Sequence, residues 1–430
     1  MRTWLALGLA CLAASAQEVV ALRGARIETV TKGVIDEGVI LIRDGKIAEV
    51  GPEVKVPAGA TVIDARGRTV LPGLVDPWSR IGVPGGPEPD EGAPVPEVVR
   101  GRFGGGRRGG RGAQGSAGYR VFDDLAPFER VWRQVPRTGY TTLLLVPPGN
   151  GIAGQAAAVR PTGATREAMA LVPNAAVVIN FEANTTTKEA VQRALLSGRR
   201  GGRSRGETPP RAEPPKPDEE KKQAEEQPQE PPPGDGPERS RERGGMADPG
   251  LMGRVLKGEV PLFVACNSAA EVAHFVDCAE SPLAGSQARV VVVAEGDAWM
   301  AADLLGARKW TVVVKPALAY EPNTRNRILP PRLFVEAGAR VAFVPPADSV
   351  DGLEASLAAA AELVRAGLDR DAALRALTAT AAEAIGLGDR VGAIEAGREA
   401  SLLVFDQDPL SPLARVRRVL IRGETVWEQP

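Results

Sequence analysis

The chain has 430 residues, enough for one large barrel with an appendage or for two domains. Its 53 basic and 54 acidic residues leave a formal net charge of -1, so no overall field favours nucleic acid or an anionic membrane. Apolar residues make up 43%, but aromatics are scarce, and 49 glycines and 37 prolines point to a globular core interrupted by low-complexity stretches.

In chain order, Arg2 precedes an apolar run from Trp4 to about Ala14, followed by Ala14-Ser15-Ala16 and Gln17. This pattern predicts a signal peptide over residues 1–16, cleaved near Ala16, and export to the periplasm or beyond. The run is shorter than the roughly 20 apolar residues that a spanning helix needs, so no transmembrane segment is expected. Short alternating strands follow at 19–22, 26–30, 38–43, 46–50 and 61–64, with Asp44-Gly45 as a two-residue hairpin turn. The far end mirrors them, with strands expected at 390–394, 400–405, 416–421 and 424–427 and Arg422-Gly423 closing the last hairpin. Two strand clusters at opposite termini predict one composite β-sandwich from 17–70 and 386–430.

Between them, β/α alternation implies a parallel sheet or barrel over 71–385. Strands are expected at 141–146, 176–181, 262–266, 289–294, 311–314 and 341–344. Helices are expected at 268–279, 297–307, 331–337, 352–366 and 370–385, giving seven β/α units, one short of a full barrel. Two segments stand apart: 82–118, rich in Gly and Arg, and 199–245, rich in Pro, Glu, Lys and Arg. Ordering either would cost roughly 1–2 kcal/mol per residue with little apolar area to offset it, so both are read as disordered insertions. The second has charges of both signs, and in an exported chain the Arg-Gly run of the first is not read as an RNA contact.

Three stretches resemble the amidohydrolase superfamily. They are Ile63-Asp64-Ala65-Arg66-Gly67 with Leu71-Pro72-Gly73-Leu74-Val75-Asp76, then Ala373-Leu374-Arg375-Ala376-Leu377-Thr378, then the run from Gly392 to Asp406 ending in Asp408-Pro409-Leu410. The resemblance implies an α/β fold: a (β/α)8 TIM-like barrel flanked by a small β-sandwich built from both termini. It also implies hydrolysis of C–N bonds by divalent metal held at the C-terminal ends of the barrel strands, which lowers the pKa of bound water. The ligands implied are a His-x-His pair on the first strand, a carbamylated lysine or carboxylate, two further histidines and a late aspartate.

The chain departs from that pattern at nearly every ligand. Trp78 and Arg80 stand where the first pair belongs, and an arginine has no lone pair to give. Ala265 and Asn267 stand at a second pair, and Glu295-Gly296-Asp297 follows the next strand without histidine. Only Asp348 matches the late aspartate. The single histidine, His274, falls in a helical stretch and reads as packed or surface imidazole, and Cys266 alone is no metal site. Pairing of Cys266 with Cys278 is undecided by sequence. No metal ligand set and no cofactor are expected; Asp76, Glu295, Asp297 and Asp348 are the weaker alternative for a carboxylate-held cation.

Gly149-Asn150-Gly151-Ile152-Ala153-Gly154 satisfies G-x-G-x-x-G, but Pro161 cuts off the helix a dinucleotide site requires, so residues 147–155 are read as a Gly-rich rim loop. The first functional reading is a catalytically silent, exported relative. Trp78, Ala265, Asn267 and Glu295 would line its pocket, taking a small molecule, a second copy of the chain or an active homologue. The second is a hydrolase of cyclic amide-like bonds in which Asp348 is the base and Arg80, buried beside it, polarises the carbonyl. The third is an interaction protein acting through its insertions.

Overall fold

The computed structural model describes residues 19–83, 118–201 and 249–429. The expected leader and the bulk of both expected insertions lie outside them. Sheet one begins with β1 (Val19–Glu28), β2 (Val34–Arg43), β3 (Lys46–Gly51), β4 (Thr61–Asp64) and β5 (Thr69–Pro72). The barrel strands are β6 (Leu74–Ser79), β7 (Tyr140–Leu145), β8 (Gly151–Val159), β9 (Ala170–Asn180), β10 (Leu262–Cys266), β11 (Val290–Ala294) and β12 (Thr311–Val314). A small hairpin of β13 (Ala319–Tyr320) and β14 (Arg327–Ile328) precedes β15 (Arg340–Phe343), and β16 (Leu402–Phe405), β17 (Val416–Ile421) and β18 (Glu424–Glu428) close the chain.

Strands from both termini form one sheet in the order β18-β17-β16-β5-β1-β2-β3, with β4 also on β1. The join is the β16–β5 pairing, Leu402 opposite Pro72 through Phe405 opposite Thr69. Both hairpin turns take the left-handed backbone they require: Asp44 and Gly45 have φ of 51° and 74°, Arg422 and Gly423 of 53° and 79°. β1 is one strand where two short ones are expected, because a bulge at Gly24 carries the chain across the gap.

The second sheet runs β15-β12-β11-β10-β9-β8-β7-β6 and is rolled into a nearly closed barrel. Its eighth strand is β8, in the segment read as a rim loop. It runs antiparallel to both β7 and β9, so a hairpin replaces one β/α unit. Two more expectations change. Residues 390–394 form turns, not a strand, and the expected helix over 370–385 breaks at Thr378 into Arg370–Leu377 and Ala379–Ala384. Thr378 has φ of -132° and gives its hydroxyl to the Leu374 carbonyl at 2.6 Å.

Alternate residues of each barrel strand face two separate cores. Leu143, Ile179, Val264, Val292, Val312 and Phe343 pack outward against the helices. Leu144, Val178, Phe263, Val293, Val313 and Ala342 fill the barrel, whose inner core continues into Ala381, Ile385 and Leu387. Two ion networks tie the layers together. Glu399, before β16, takes bonds from Arg160, after β8, at 2.8–3.1 Å and from Arg390 at 2.8 Å. Arg370 bridges Glu28 of β1, at 3.0 Å, and Asp408, at 2.9 Å.

Gly73 is the passage from one sheet to the other. Its N–H donates to the Ser401 carbonyl at 2.9 Å, and a Cβ there would lie 2.0 Å from Thr141 Oγ1. Gly73→Ala is therefore expected to cost about 2 kcal/mol by overpacking, read as a melting temperature several degrees lower. Gly51→Ala, where φ is not positive and a Cβ would meet only Val54 Cγ2 at an ordinary 3.6 Å, is the comparison that separates crowding from loss of backbone freedom.

Candidate functional site at the barrel mouth

The inward parity of the strands continues into the residues at their C-terminal ends. On β9 it passes from Val178 to Asn180, on β10 from Phe263 through Ala265 to Asn267, on β11 from Val293 to Glu295 and on β12 from Val313 to Lys315. Trp78 and Arg80 end β6, and Asp348 follows β15. The mouth is thus ringed by Trp78, Arg80, Asn180, Asn267, Glu295, Lys315 and Asp348.

Local structure holds these positions. Ser268 caps the helix Ala269–Leu283, accepting the Glu271 N–H at 3.2 Å, while the Glu271 carboxylate reaches back to the Asn267 N–H at 2.6 Å. Glu295 donates its N–H to the Cys266 carbonyl at 2.9 Å, extending β11 along β10. Asp348 directly precedes Ser349, which caps the helix Val350–Arg365. Trp78 is 6% exposed and stacks on Phe263 with ring centroids 6.2 Å apart, which fills the throat below the rim.

Asp348 seals the seam between β15 and β6. Its two oxygens accept the Arg80 N–H at 2.9 and 3.1 Å, and Oδ1 also accepts the Ser79 hydroxyl at 3.3 Å. The expected buried pair of Arg80 with Asp348 therefore takes a different form. The main-chain N–H makes the bonds, and the guanidinium Nε is buried without a hydrogen-bond partner. A turn begins at Arg80, whose carbonyl accepts the Val83 N–H at 3.2 Å, and leaves the Arg80 main-chain N–H on Asp348.

Below the rim, Asp76 is fully buried. Oδ1 accepts the Trp78 N–H at 3.0 Å, and Oδ2 has no partner. Burial, and then the negative charge of Asp348, push its carboxyl up to about 7. Burial likewise raises Asp348, against the pull of the Arg80 N–H and guanidinium. Glu295 is pushed up to about 7, chiefly by burial, with Lys315 and Arg80 drawing it back down. Glu295 is thus the half-buried group at the rim poised to exchange a proton near neutrality.

Of the residues singled out in the sequence, Trp78, Arg80, Ala265, Asn267, Glu295 and Asp348 do converge on one mouth, Ala265 a step below the rim. Asp297 does not: its Oδ1 accepts the Ala269 N–H at 2.9 Å and braces the helix start. His274 sits within the helix Ala269–Leu283. Cys266 points to the outer core, its thiol raised by burial, and neither it nor Cys278 is in a disulfide. Lys315 and Asn180 were missed, although the signal was present. Each stands two residues beyond an inward-facing valine at the end of an apolar run.

The Amidohydrolase family model matches residues 337–426, which include Asp348 and β16. A dihydroorotase of Anaeromyxobacter dehalogenans is 41% identical over 68 residues, 16% of either chain. An imidazolonepropionase of Symbiobacterium thermophilum is 43% identical over 65 residues, 14% of this chain and 15% of its own. The matched region thus spans about a sixth of the length of these curated relatives. The crystal structure of an amidohydrolase from Thermotoga maritima superposes with a TM-score of 0.70 at 19% identity, covering 95% of this chain and 100% of that one. Residues 337–426 thus resemble the amidohydrolase family, and the chain has the fold of the Thermotoga maritima amidohydrolase.

The divalent metal that the resemblance implies does not fit the residues here. Arg80 and Lys315 bring two cations to the mouth, and a dication beside them would be repelled. The Asp348 oxygens are already occupied by N–H and O–H donors, and among the described residues no three His, Cys, Asp or Glu side chains converge as ligands. What the arrangement offers instead is fixed charge of both signs and two amides, over an aromatic floor.

Proposed function

We propose that this chain is a catalytically silent member of the superfamily whose barrel mouth binds a small polar molecule. The observation that carries the reading is the set of inward-facing rim residues. Arginine and lysine stand where a metal would have to sit, balanced internally by Glu295 and Asp348. A site neutralised by its own side chains needs no ion, and Asn267, together with Asn180, whose Nδ2 already donates to the Gly149 carbonyl, is placed to orient a ligand. Export through a leader cleaved near Ala16, and pairing with a second copy or with an active homologue, belong to the same reading. An intact-mass measurement on secreted protein tests the first, with Gln17 expected as the new N-terminus.

The direct test is the metal content of untagged protein purified without chelator. Far less than one metal per chain is expected, before and after incubation with zinc or manganese. Stoichiometric binding, about one metal per chain or more, would overturn the reading.

A second reading rests on Glu295. A half-buried carboxyl raised to about 7 beside Arg80 and Lys315 has the properties of a general base, with a cation at hand to polarise a carbonyl. Asp348, the base expected from sequence, is poorly placed for that task because both its oxygens are bonded. The substrate would be a cyclic amide, and dihydroorotate is the first to try, since curated relatives carry the name dihydroorotase. Chelator-resistant turnover that is lost in Glu295→Gln would establish this second reading and displace the first.

A further inference from the structure

The outer flank of the first sheet holds a cleft of about 970 Å³, lined by β1, β2, the 52–56 segment and the turn from Arg66 to Thr69. It is separate from the barrel mouth, and its volume lies at the upper end of the roughly 300–1,000 Å³ typical of small-molecule sites. Four arginines line it, Arg23, Arg26, Arg66 and Arg68, against two carboxylates, Asp36 and Glu37. Val39, Val54 and Val56 give it an apolar wall.

Two of the guanidinium groups are held in place. Gly24, at φ +78°, leaves the space over which the Arg66 stem lies: a Cβ there would be 2.5 Å from Arg66 Cγ. The Arg66 head is then clamped to Asp64, Nε to Oδ1 at 3.0 Å and Nη2 to Oδ2 at 2.6 Å. Arg26 is fixed by Asp36 at 2.8 Å and Glu28 at 3.5 Å. Arg23 and Arg68 form no ion pair among the described residues. They approach the same short stretch, since the Arg23 carbonyl accepts the Ala65 N–H and the Arg68 carbonyl accepts the Arg26 N–H, each at 2.9 Å.

We infer that this cleft binds a small dianionic oxyanion, a phosphate monoester or a dicarboxylate, that also carries an apolar group. Guanidinium forks match such oxygens in bidentate geometry, and those already ordered by carboxylates lose little freedom on binding. Arg23 and Arg68 are the two lining guanidinium groups outside any ion pair among the described residues, they outnumber Glu37, the lining carboxylate likewise outside one, and the valines cover the apolar part of the ligand. Neither the barrel mouth nor its proton chemistry enters into this site.

Calorimetric titration of the full chain at low ionic strength tests it, with phenyl phosphate, inorganic phosphate and phthalate as probes. Saturable 1:1 binding is expected for phenyl phosphate or phthalate, and whichever binds more tightly identifies the oxyanion. Inorganic phosphate, lacking the ring, should bind about tenfold more weakly than phenyl phosphate. The Arg23→Gln/Arg68→Gln double variant should bind the better probe at least about tenfold more weakly, whereas Arg332→Gln/Arg365→Gln removes equal charge from the barrel surface and should change nothing. No saturation by any probe, or equal weakening by both double variants, overturns the proposal.

Discussion

Asp348→Ala is expected to destabilise the protein by about 3 kcal/mol, because the lost carboxylate is the acceptor that joins the two edge strands of the barrel. Its oxygens take the Arg80 N–H twice and the Ser79 hydroxyl once. Without them the Arg80 N–H loses its acceptor at a seam where no ladder pairing between β15 and β6 substitutes. Asp348→Asn keeps one carbonyl acceptor and should lose about half as much. Ser79→Ala should cost little, since its bond to Asp348 is long at 3.3 Å and the serine Oγ also merely accepts the Ile81 N–H at 3.3 Å. Urea unfolding of the three variants gives the ranking. A midpoint for Asp348→Ala indistinguishable from wild type would mean that the barrel is held closed from elsewhere.

The same residue shows how far the sequence can be read. Asp348 is recognisable by its place after an apolar strand and before a helix cap, so its arrival at the mouth is legible. Its partner is not, because a main-chain donor leaves no trace in residue identity. The sequence pairs Asp348 with the most obvious opposite charge, Arg80, and finds the right residue but the wrong group. The sheet built from both termini is legible for a physical reason: its hairpins need positive φ at two adjacent positions, and Asp44-Gly45 and Arg422-Gly423 announce that need. β8 is hidden by the converse. Gly151-Ile152-Ala153-Gly154-Gln155-Ala156-Ala157-Ala158-Val159 has low β propensity and is buried on both faces, so no alternation of polar and apolar residues marks it. Tertiary pairing with β7 and β9 makes it a strand. Lys315 is legible by parity and not by residue type: it is no metal ligand, but the inward face of Thr311-Val312-Val313-Val314 leads directly to it.

Asp76→Asn should abolish a pH dependence that the wild-type fold carries at its centre. The Asp76 carboxyl stands at about 7 in the folded protein against an ordinary 3.8, first because it is buried and then because Asp348 is near. Below about pH 4 the group is protonated whether the chain is folded or not, and contributes no difference. Between pH 4 and 7 the unfolded chain releases the proton while the folded chain retains it, so stability falls as pH rises. Above about 7 the full penalty of a buried, half-satisfied carboxylate persists, on the order of 4 kcal/mol for a shift of this size. Asparagine keeps the acceptor for the Trp78 N–H and carries no charge. The variant should therefore lie about 1 kcal/mol below wild type near pH 4, the cost of its own unpaired amide, and about 3 kcal/mol above it at pH 8. Glu295 and Asp348 are raised in the same sense, so the comparison must be the difference between variant and wild type at each pH, not the wild-type curve alone. Melting temperatures at pH 4, 5.5 and 8 supply it. A difference that stays constant across the three would show that Asp76 does not hold its proton in the folded protein, and that a partner for Oδ2 stabilises the charged form.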